Sequence, residues 1–337
     1  MESTNFKVIQ SINNWLKQGD KIWLITVLET WGASPRPPGS LFAYNSTANI
    51  QVGSLSGGCI EEDLVVQLGS MPLSQRPIRK LYGVDQSEVE RFHLPCGGKV
   101  ELVLECLGAH CHEHFSKLER VLENKQQVSR HISLSTGEMC LKKCTDYSGA
   151  LSSSAKPTSA TSSVEVSDLS ITHHISPAYR LLIVGLGEVA IYLASFAKSV
   201  EFNVSICEPR TDYIQRYADR SAGVPIIQSL PDDLIRENFN DAYCAIVTVA
   251  HDPRVDDLAL LEALNSSAFY IGSMGSLKTT ENRIERLKQL DTSHDALKKL
   301  HAPIGMAIGS KTPPEIAISI ISELVMSRHN CKDSAHK

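Results

Sequence analysis

Two cysteines in the chain stand beside paired glycines. Gly53-Ser54-Leu55-Ser56-Gly57-Gly58-Cys59 runs on into Glu61, and Leu94-Pro95-Cys96-Gly97-Gly98 repeats the pairing in reverse order. Consecutive glycine amides can form a nest that holds an anion at a helix start. The helix dipole there favours a thiolate, whereas Glu61, Glu62 and Asp63 oppose it, because nearby negative charge raises a thiol pKa. The two effects are of similar size, so the reactivity of Cys59 stays open at this point. Two such loops in one domain can converge on one site, where thiolates suit a soft metal or a transferable sulfur. The plainer reading of each is a turn with a buried cysteine. Cys59 and Cys96 are the candidate metal ligands, with Gly57, Gly58, Glu61, Gly97 and Gly98 around them.

A second constellation is Gly185-Leu186-Gly187-Glu188-Val189-Ala190, set between an apolar run and a helical one. Gly185 and Gly187 allow a tight turn and close backbone approach, and a helix N-terminus attracts phosphate. Glu208 ends the next apolar run, where a carboxylate can accept hydrogen bonds from a ribose hydroxyl. Further loops follow at His251-Asp252, Gly272-Ser273-Met274-Gly275-Ser276, Pro303-Ile304-Gly305 and Gly309–Glu315. The first two follow strands of an expected parallel sheet, beyond whose carboxyl ends ligands sit, and the last can fold over the same crevice. His110-Cys111-His112-Glu113-His114, with Cys106 upstream, matches no established zinc spacing and reads as a solvated helix start. Cys140-x-x-x-Cys144 reads the same way.

The elements that must position these groups fall into two patterns. Before residue 148, an amphipathic helix (6–16), a strand (21–28), a hairpin (41–53), a helix entered at Gly58, a strand (99–107) and a helix (113–124) predict an α+β domain over 1–147. Residues 148–170 are serine-rich and predict a linker, with a last strand of the first domain within 164–175. From 179 to 328 strands and helices alternate. The candidate strands are 181–184, 204–207, 225–228, 244–249 and 269–271, which predicts a Rossmann-like α/β domain, a parallel sheet with helices on both faces. The last helix begins at its prolines near 314, and 329–337 is a tail.

The composition is that of an ordinary soluble chain: 337 residues, 42% hydrophobic, 21% charged and a net charge of −5. That charge offers nothing to a nucleic acid backbone or an acidic membrane surface. No run is long and apolar enough to span a bilayer, and the first residues lack the pattern of a secretory signal. The nine cysteines, odd in number and irregular in spacing, fit reduced thiols in the cytoplasm better than a disulfide framework.

Taken together, these motifs resemble the xanthine dehydrogenase accessory protein family, XdhC/CoxI. The resemblance rests on Gly53–Glu61 and Leu94–Gly98, on Leu182–Ala190, His251-Asp252 and Tyr270-Ile271-Gly272, and above all on His301–Ala317. It implies an accessory factor without turnover of its own. Such a factor binds molybdenum cofactor, as molybdopterin or its nucleotide form, protects it during exchange of an oxo for a sulfido ligand, and helps insert it into an apo molybdenum hydroxylase. A cofactor-contact role for Cys59, Glu61 and Cys96 follows by the same resemblance. A homodimer and a cysteine desulfurase partner are further expectations. Two departures stand out. Glu188 puts a negative charge at the mouth of the phosphate site, and Leu277-Lys278-Thr279-Thr280 replaces a basic cluster, which argues against an anion site there. The alternative reading is an NAD(P)-dependent oxidoreductase with His251 as its acid–base group.

Overall fold

The apolar run Ile22–Leu28 is buried without interruption, and the reason lies in what covers it. In the computed structural model, which describes residues 4–31, 36–71, 74–83, 99–143, 163–221 and 223–330, this run belongs to β1 (Ile22–Trp31). It is the middle strand of a five-stranded sheet with β2 (Leu41–Asn45), β3 (Ile50–Gly53), β4 (Ile78–Tyr82) and β5 (Lys99–Leu107), in the order β3-β2-β1-β5-β4. Side chains alternate across a strand. Ile22 and Leu24 therefore pack with α1 (Thr4–Lys17) and α3 (His112–Glu123). Trp23, Ile25 and Val27 pack on the other face with α2 (Cys59–Ser70).

A second, four-stranded antiparallel sheet completes this unit. Its strands are β6 (Val128–Ser133), β7 (Met139–Lys143), β8 (Ser163–Val166) and β9 (Ser170–Ile175), in the order β7-β6-β9-β8. The sequence predicts one strand within 164–175. The chain makes two, because the Ser167 hydroxyl accepts from the Ser170 amide and closes a turn between them.

Described residues from Ala178 onward form the other compact unit. Its strands are β10 (Arg180–Val184), β11 (Asn203–Cys207), β12 (Ile226–Ile227), β13 (Cys244–Thr248), β14 (Tyr270–Ser273) and β15 (Leu300–His301). All pair in parallel, in the order β12-β11-β10-β13-β14-β15. Counted from β10, this is the 3-2-1-4-5-6 order of the Rossmann fold. Leu181 and Ile183 face α4 (Glu188–Ser199) and α10 (Pro313–Asn330). Leu182 and Val184 face α6 (Pro231–Asn238) and α7 (Pro253–Asn265). The sequence reading lacks β15, since two residues carry no periodicity. It also starts α8 (Leu277–Gln289) four residues late, because the Ser276 cap rather than an apolar residue opens that helix. Two short helices, α5 (Thr211–Tyr217) and α9 (His294–Leu297), complete the unit.

The serine-rich segment lies outside the described residues up to 162, as do Cys144, the loop carrying Cys96, Gly97 and Gly98, and the end from 331.

Candidate functional site

The strand order reverses between β10 and β13, and the ladder runs past the strand ends there. Val249 N–H donates to Val184, Met274 N–H to Thr248 and Ile304 N–H to Ser273. These bonds fix three loops along one carboxyl edge. Gly185 has φ +103°, and a Cβ there would overlap the Ala250 backbone. The turn is thus glycine both for its left-handed conformation and because the loop after β13 lies directly against it. Gly187 faces open space.

Glu208 is fully buried at the end of β11. Its Oε2 accepts from the Leu186 amide at 2.8 Å. The Arg210 guanidinium forks onto both oxygens at 2.7 and 2.8 Å, and the Arg210 amide adds 3.0 Å. The carboxylate expected to meet a ribose instead ties the glycine turn to Arg210. That arginine stands 3.8 Å from Asp252. Asp252 caps α7 through the Arg254 amide and forks with the Arg254 side chain. Glu188, expected to repel phosphate, is paired by Nη1 and Nη2 of Arg220.

Beyond β13 and β14 opens a crevice of about 620 Å³, lined among others by His251, Met274, Ser276, Pro303, Ile304 and Ser310. The sequence motifs at 251, 272–276, 303–305 and 309–315 thus meet around one space. His251 is a non-glycine residue with φ +56°, an uncommon conformation that recurs at functional sites. Gly272 has no room for a side chain, since a Cβ would lie 2.8 Å from Ile304 Cγ1. Gly305 has φ +98°, and a Cβ there would overlap Ser319 Oγ. Glu323 on α10 anchors this loop. It accepts from the Gly305 amide at 2.5 Å, the Tyr270 hydroxyl at 2.8 Å and His301 Nδ1 at 2.7 Å.

In the other unit, Gly57 and Gly58 do form a nest at the start of α2, but the chain fills it. The Glu61 carboxylate accepts from the amides of Leu55 (2.8 Å), Ser56 (3.0 Å), Gly57 (3.2 Å) and Gly58 (3.1 Å). It also accepts from the hydroxyls of Ser54 (2.9 Å) and Ser56 (2.5 Å). Burial alone would raise this carboxyl, but the bonds from Ser56 and Leu55 outweigh it and hold its pKa at about 2. Glu61 therefore builds the loop that presents Cys59 at the first position of α2. The Cys59 side chain is outside the described residues.

Comparison with known proteins agrees with this architecture. The XdhC Rossmann domain description matches residues 181–324, and the XdhC and CoxI family description matches 15–83. The two segments together span more than half of the chain. The chain belongs to the XdhC/CoxI family. It is 23% identical to a Bacillus subtilis protein named as a probable xanthine dehydrogenase subunit, over 93% of this chain and 95% of that protein. It is 24% identical to the molybdenum cofactor insertion chaperone PaoD of Escherichia coli, over 95% and 87%. A crystal structure from Bacillus halodurans, named a xanthine dehydrogenase, superposes with a TM-score of 0.74 at 24% identity, covering 99% of this chain and 97% of that one. That likeness shows a shared fold.

Other groups in this XdhC/CoxI chain depart from the sequence reading. Cys111 and His114 are not on a solvated helix start. Cys111 is 2% exposed, and burial with the nearby Arg130 charge pushes His114 down to about 3. With Cys106 and Met139 they border a cavity of about 310 Å³, next to the buried ion pair Arg130–Glu105 (2.7 and 2.9 Å). Among the described residues no three His, Cys, Asp or Glu groups can hold one metal ion. Cys207 and Cys244 are core residues whose thiols burial raises to about 12.

The sequence reading also missed Asp256, Arg283 and Arg286 in the crevice wall. One signal was available. Arg283 stands four residues before Leu287, on the buried face of α8, where a charge is anomalous.

Proposed function

We propose that this chain is an accessory factor that binds molybdenum cofactor, assists its sulfuration and helps insert it into an apo molybdenum hydroxylase, with no turnover of its own. The observation that carries the reading is the crevice, because His251, the loop after β14 and the His301–Ala317 stretch, on which the family resemblance rests most, converge there. Its 620 Å³ lies within the roughly 300–1,000 Å³ of small-ligand sites. Its walls mix apolar groups, Met274 and Ile304, with His251, Arg283 and hydroxyls. That is the mixture a flat pterin with an anionic substituent needs. The engagement of both Glu208 oxygens by Leu186 and Arg210 leaves no free acceptor for a ribose, which speaks against the dehydrogenase alternative. The name of the Escherichia coli relative supports the same direction.

In this reading Gly185 and Gly187, on the turn packed against Ala250, and Asp252, next in sequence to His251, belong to the same cofactor site. Gly272 and Gly305 shape its wall. By the family resemblance, Cys59 and Cys96, with Gly97 and Gly98, keep the role of candidate contacts for a soft metal–sulfur centre. A cysteine desulfurase as sulfur source, a homodimer and a cytoplasmic setting belong to the same proposal; among the described residues no helix is long and apolar enough to cross a membrane. Titrating the purified chain with isolated molybdenum cofactor and, separately, with NADH and NADPH tests the reading. Cofactor binding near one per chain is expected. Tight nicotinamide binding without cofactor binding would overturn it.

A further inference from the structure

Arg283 is 2% exposed, yet it lines the crevice. Its contacts are all long: 3.3 Å from Nη1 to the Met274 carbonyl and 3.4 Å from Nη2 to Asp256 Oδ2, while Nε, 3.5 Å from Asp257 Oδ1, makes no hydrogen bond. Charge-assisted bonds ordinarily close to about 2.7–2.9 Å. Arg286, one turn on, is held far better, at 2.5 and 3.1 Å from Asp257. Arg283 is thus a desolvated guanidinium whose donors are under-used, beside open space. Ser276 and Thr279, at the start of α8, line the same space.

Charge decides on what terms an anion can enter. Arg283 and Arg286 are balanced by Asp256 and Asp257, so a dianion would meet a neutral cluster. The groups facing Asp256 are few. From the loop after β13 come the Ala250 amide, at 3.1 Å, and His251, which lines the same crevice. From α8 come Arg283 and Arg286, and from α7 its neighbour Asp257. From the loop after β11, Arg210 acts at longer range and is itself committed to Glu208.

We propose that the crevice holds an anion subsite, sized for a phosphate group and built on Arg283 with Ser276 and Thr279, whose filling requires Asp256 to take up one proton from solvent. Protonation makes one O–H bond on the Asp256 carboxylate, removes the competing charge and releases the Arg283 donors to the ligand; no other covalent bond changes. Burial, acting against Arg283 and the Ala250 amide, pushes the Asp256 carboxyl up to about 6, so the proton is available just below neutrality. The subsite rests on the cofactor reading above and would receive the phosphate end of that ligand.

Inorganic sulfate is the probe, because it stays a dianion across the range where Asp256 titrates. The intact chain, labelled in its arginines, is followed at the Arg283 Nε–Hε resonance as sulfate is added at matched ionic strength. Affinity is expected to weaken about tenfold per pH unit above about pH 7. Asp256→Asn, which keeps an acceptor for the Ala250 amide, is expected to bind sulfate with a flat pH profile. Arg283→Gln is expected to lose binding, and Arg286→Gln, at a more exposed position, to weaken it. A pH-independent affinity in the unmodified chain, or an unmoved Arg283 resonance at about pH 5.5, would overturn the proposal. Cofactor binding that sulfate does not compete with removes the subsite and leaves the cofactor reading standing. Proton-coupled sulfate binding without any cofactor binding does the reverse.

Discussion

Replacing Glu61 with glutamine tests the claim that an internal carboxylate builds the loop before α2. The carboxylate is 5% exposed and accepts from four amides and two hydroxyls. Its carboxyl lies at about 2 instead of 4.5. A shift of that size corresponds to about 2–3 kcal/mol of folding free energy, at about 1.4 kcal/mol per pKa unit and with a discount for residual screening. Glutamine keeps one carbonyl but turns an amide donor toward N–H groups, which leaves buried donors unmatched at about 1–3 kcal/mol. The net loss expected for Glu61→Gln is about 3 kcal/mol.

Trp15, Trp23 and Trp31 are the only tryptophans of the chain and all precede residue 32, so tryptophan fluorescence reads this unit. With a urea slope of about 1–3 kcal/mol/M, the midpoint should fall by roughly 1–3 M at neutral pH. The sign of the pH dependence is set by the depressed carboxyl. Its stabilisation is complete above about pH 4.5 and is lost as pH falls through that value toward 2. The gap between the two proteins should therefore close over that window. A midpoint shift that is negligible at pH 7, or a gap that persists unchanged at low pH, would refute the assignment.

Three other outcomes follow from the Rossmann unit. Gly185→Ala forces a side chain into a left-handed turn and onto the Ala250 backbone; a loss of about 3 kcal/mol is expected from hydrogen exchange of β10 and β13 amides. Glu323→Ala strands the Gly305 amide, the Tyr270 hydroxyl and His301; limited proteolysis should find the 302–312 loop opened while the sheet persists, at a cost of about 1–3 kcal/mol. Arg220→Ala leaves Glu188 unpaired at the start of α4; an anionic ligand on that turn should bind roughly two- to fivefold more weakly, with little change in the thermal midpoint.

The Rossmann unit was legible because its strands are apolar runs with residues on both faces. Gly185 between such a run and a helix has few other meanings. The convergence of His251, Met274, Ile304 and Ser310 was legible in outline, since loops after parallel strands share one edge. What could not be read was which carboxylate meets which amide. The glycine turns at 57–58 and 185–187 read as anion cradles, and the turns at 305 and 309–312 as loops beside the crevice. In the fold, Glu61, Glu208, Glu323 and Glu315 accept from the amides of those turns. Glu61 lies three residues from its partner, a capping spacing visible in principle, whereas Glu208 and Glu323 reach theirs only through the tertiary fold. Arg283 escaped notice for a related reason. Its meaning depends on Asp256 and Asp257 from another helix, and the lack of a basic cluster at 277–280, where Lys278 stands alone, drew the reading away from α8.

The most direct test of the central claim is the affinity of the purified chain for molybdenum cofactor before and after the crevice is filled. Ser310→Trp introduces a bulky ring at a partly exposed loop position that lines the crevice, where folding should be unaffected. The account predicts binding near one cofactor per chain for the unmodified protein. For the variant it predicts loss of binding and of transfer to an apo molybdenum hydroxylase, with unchanged circular dichroism. Equal cofactor binding by both proteins would contradict it.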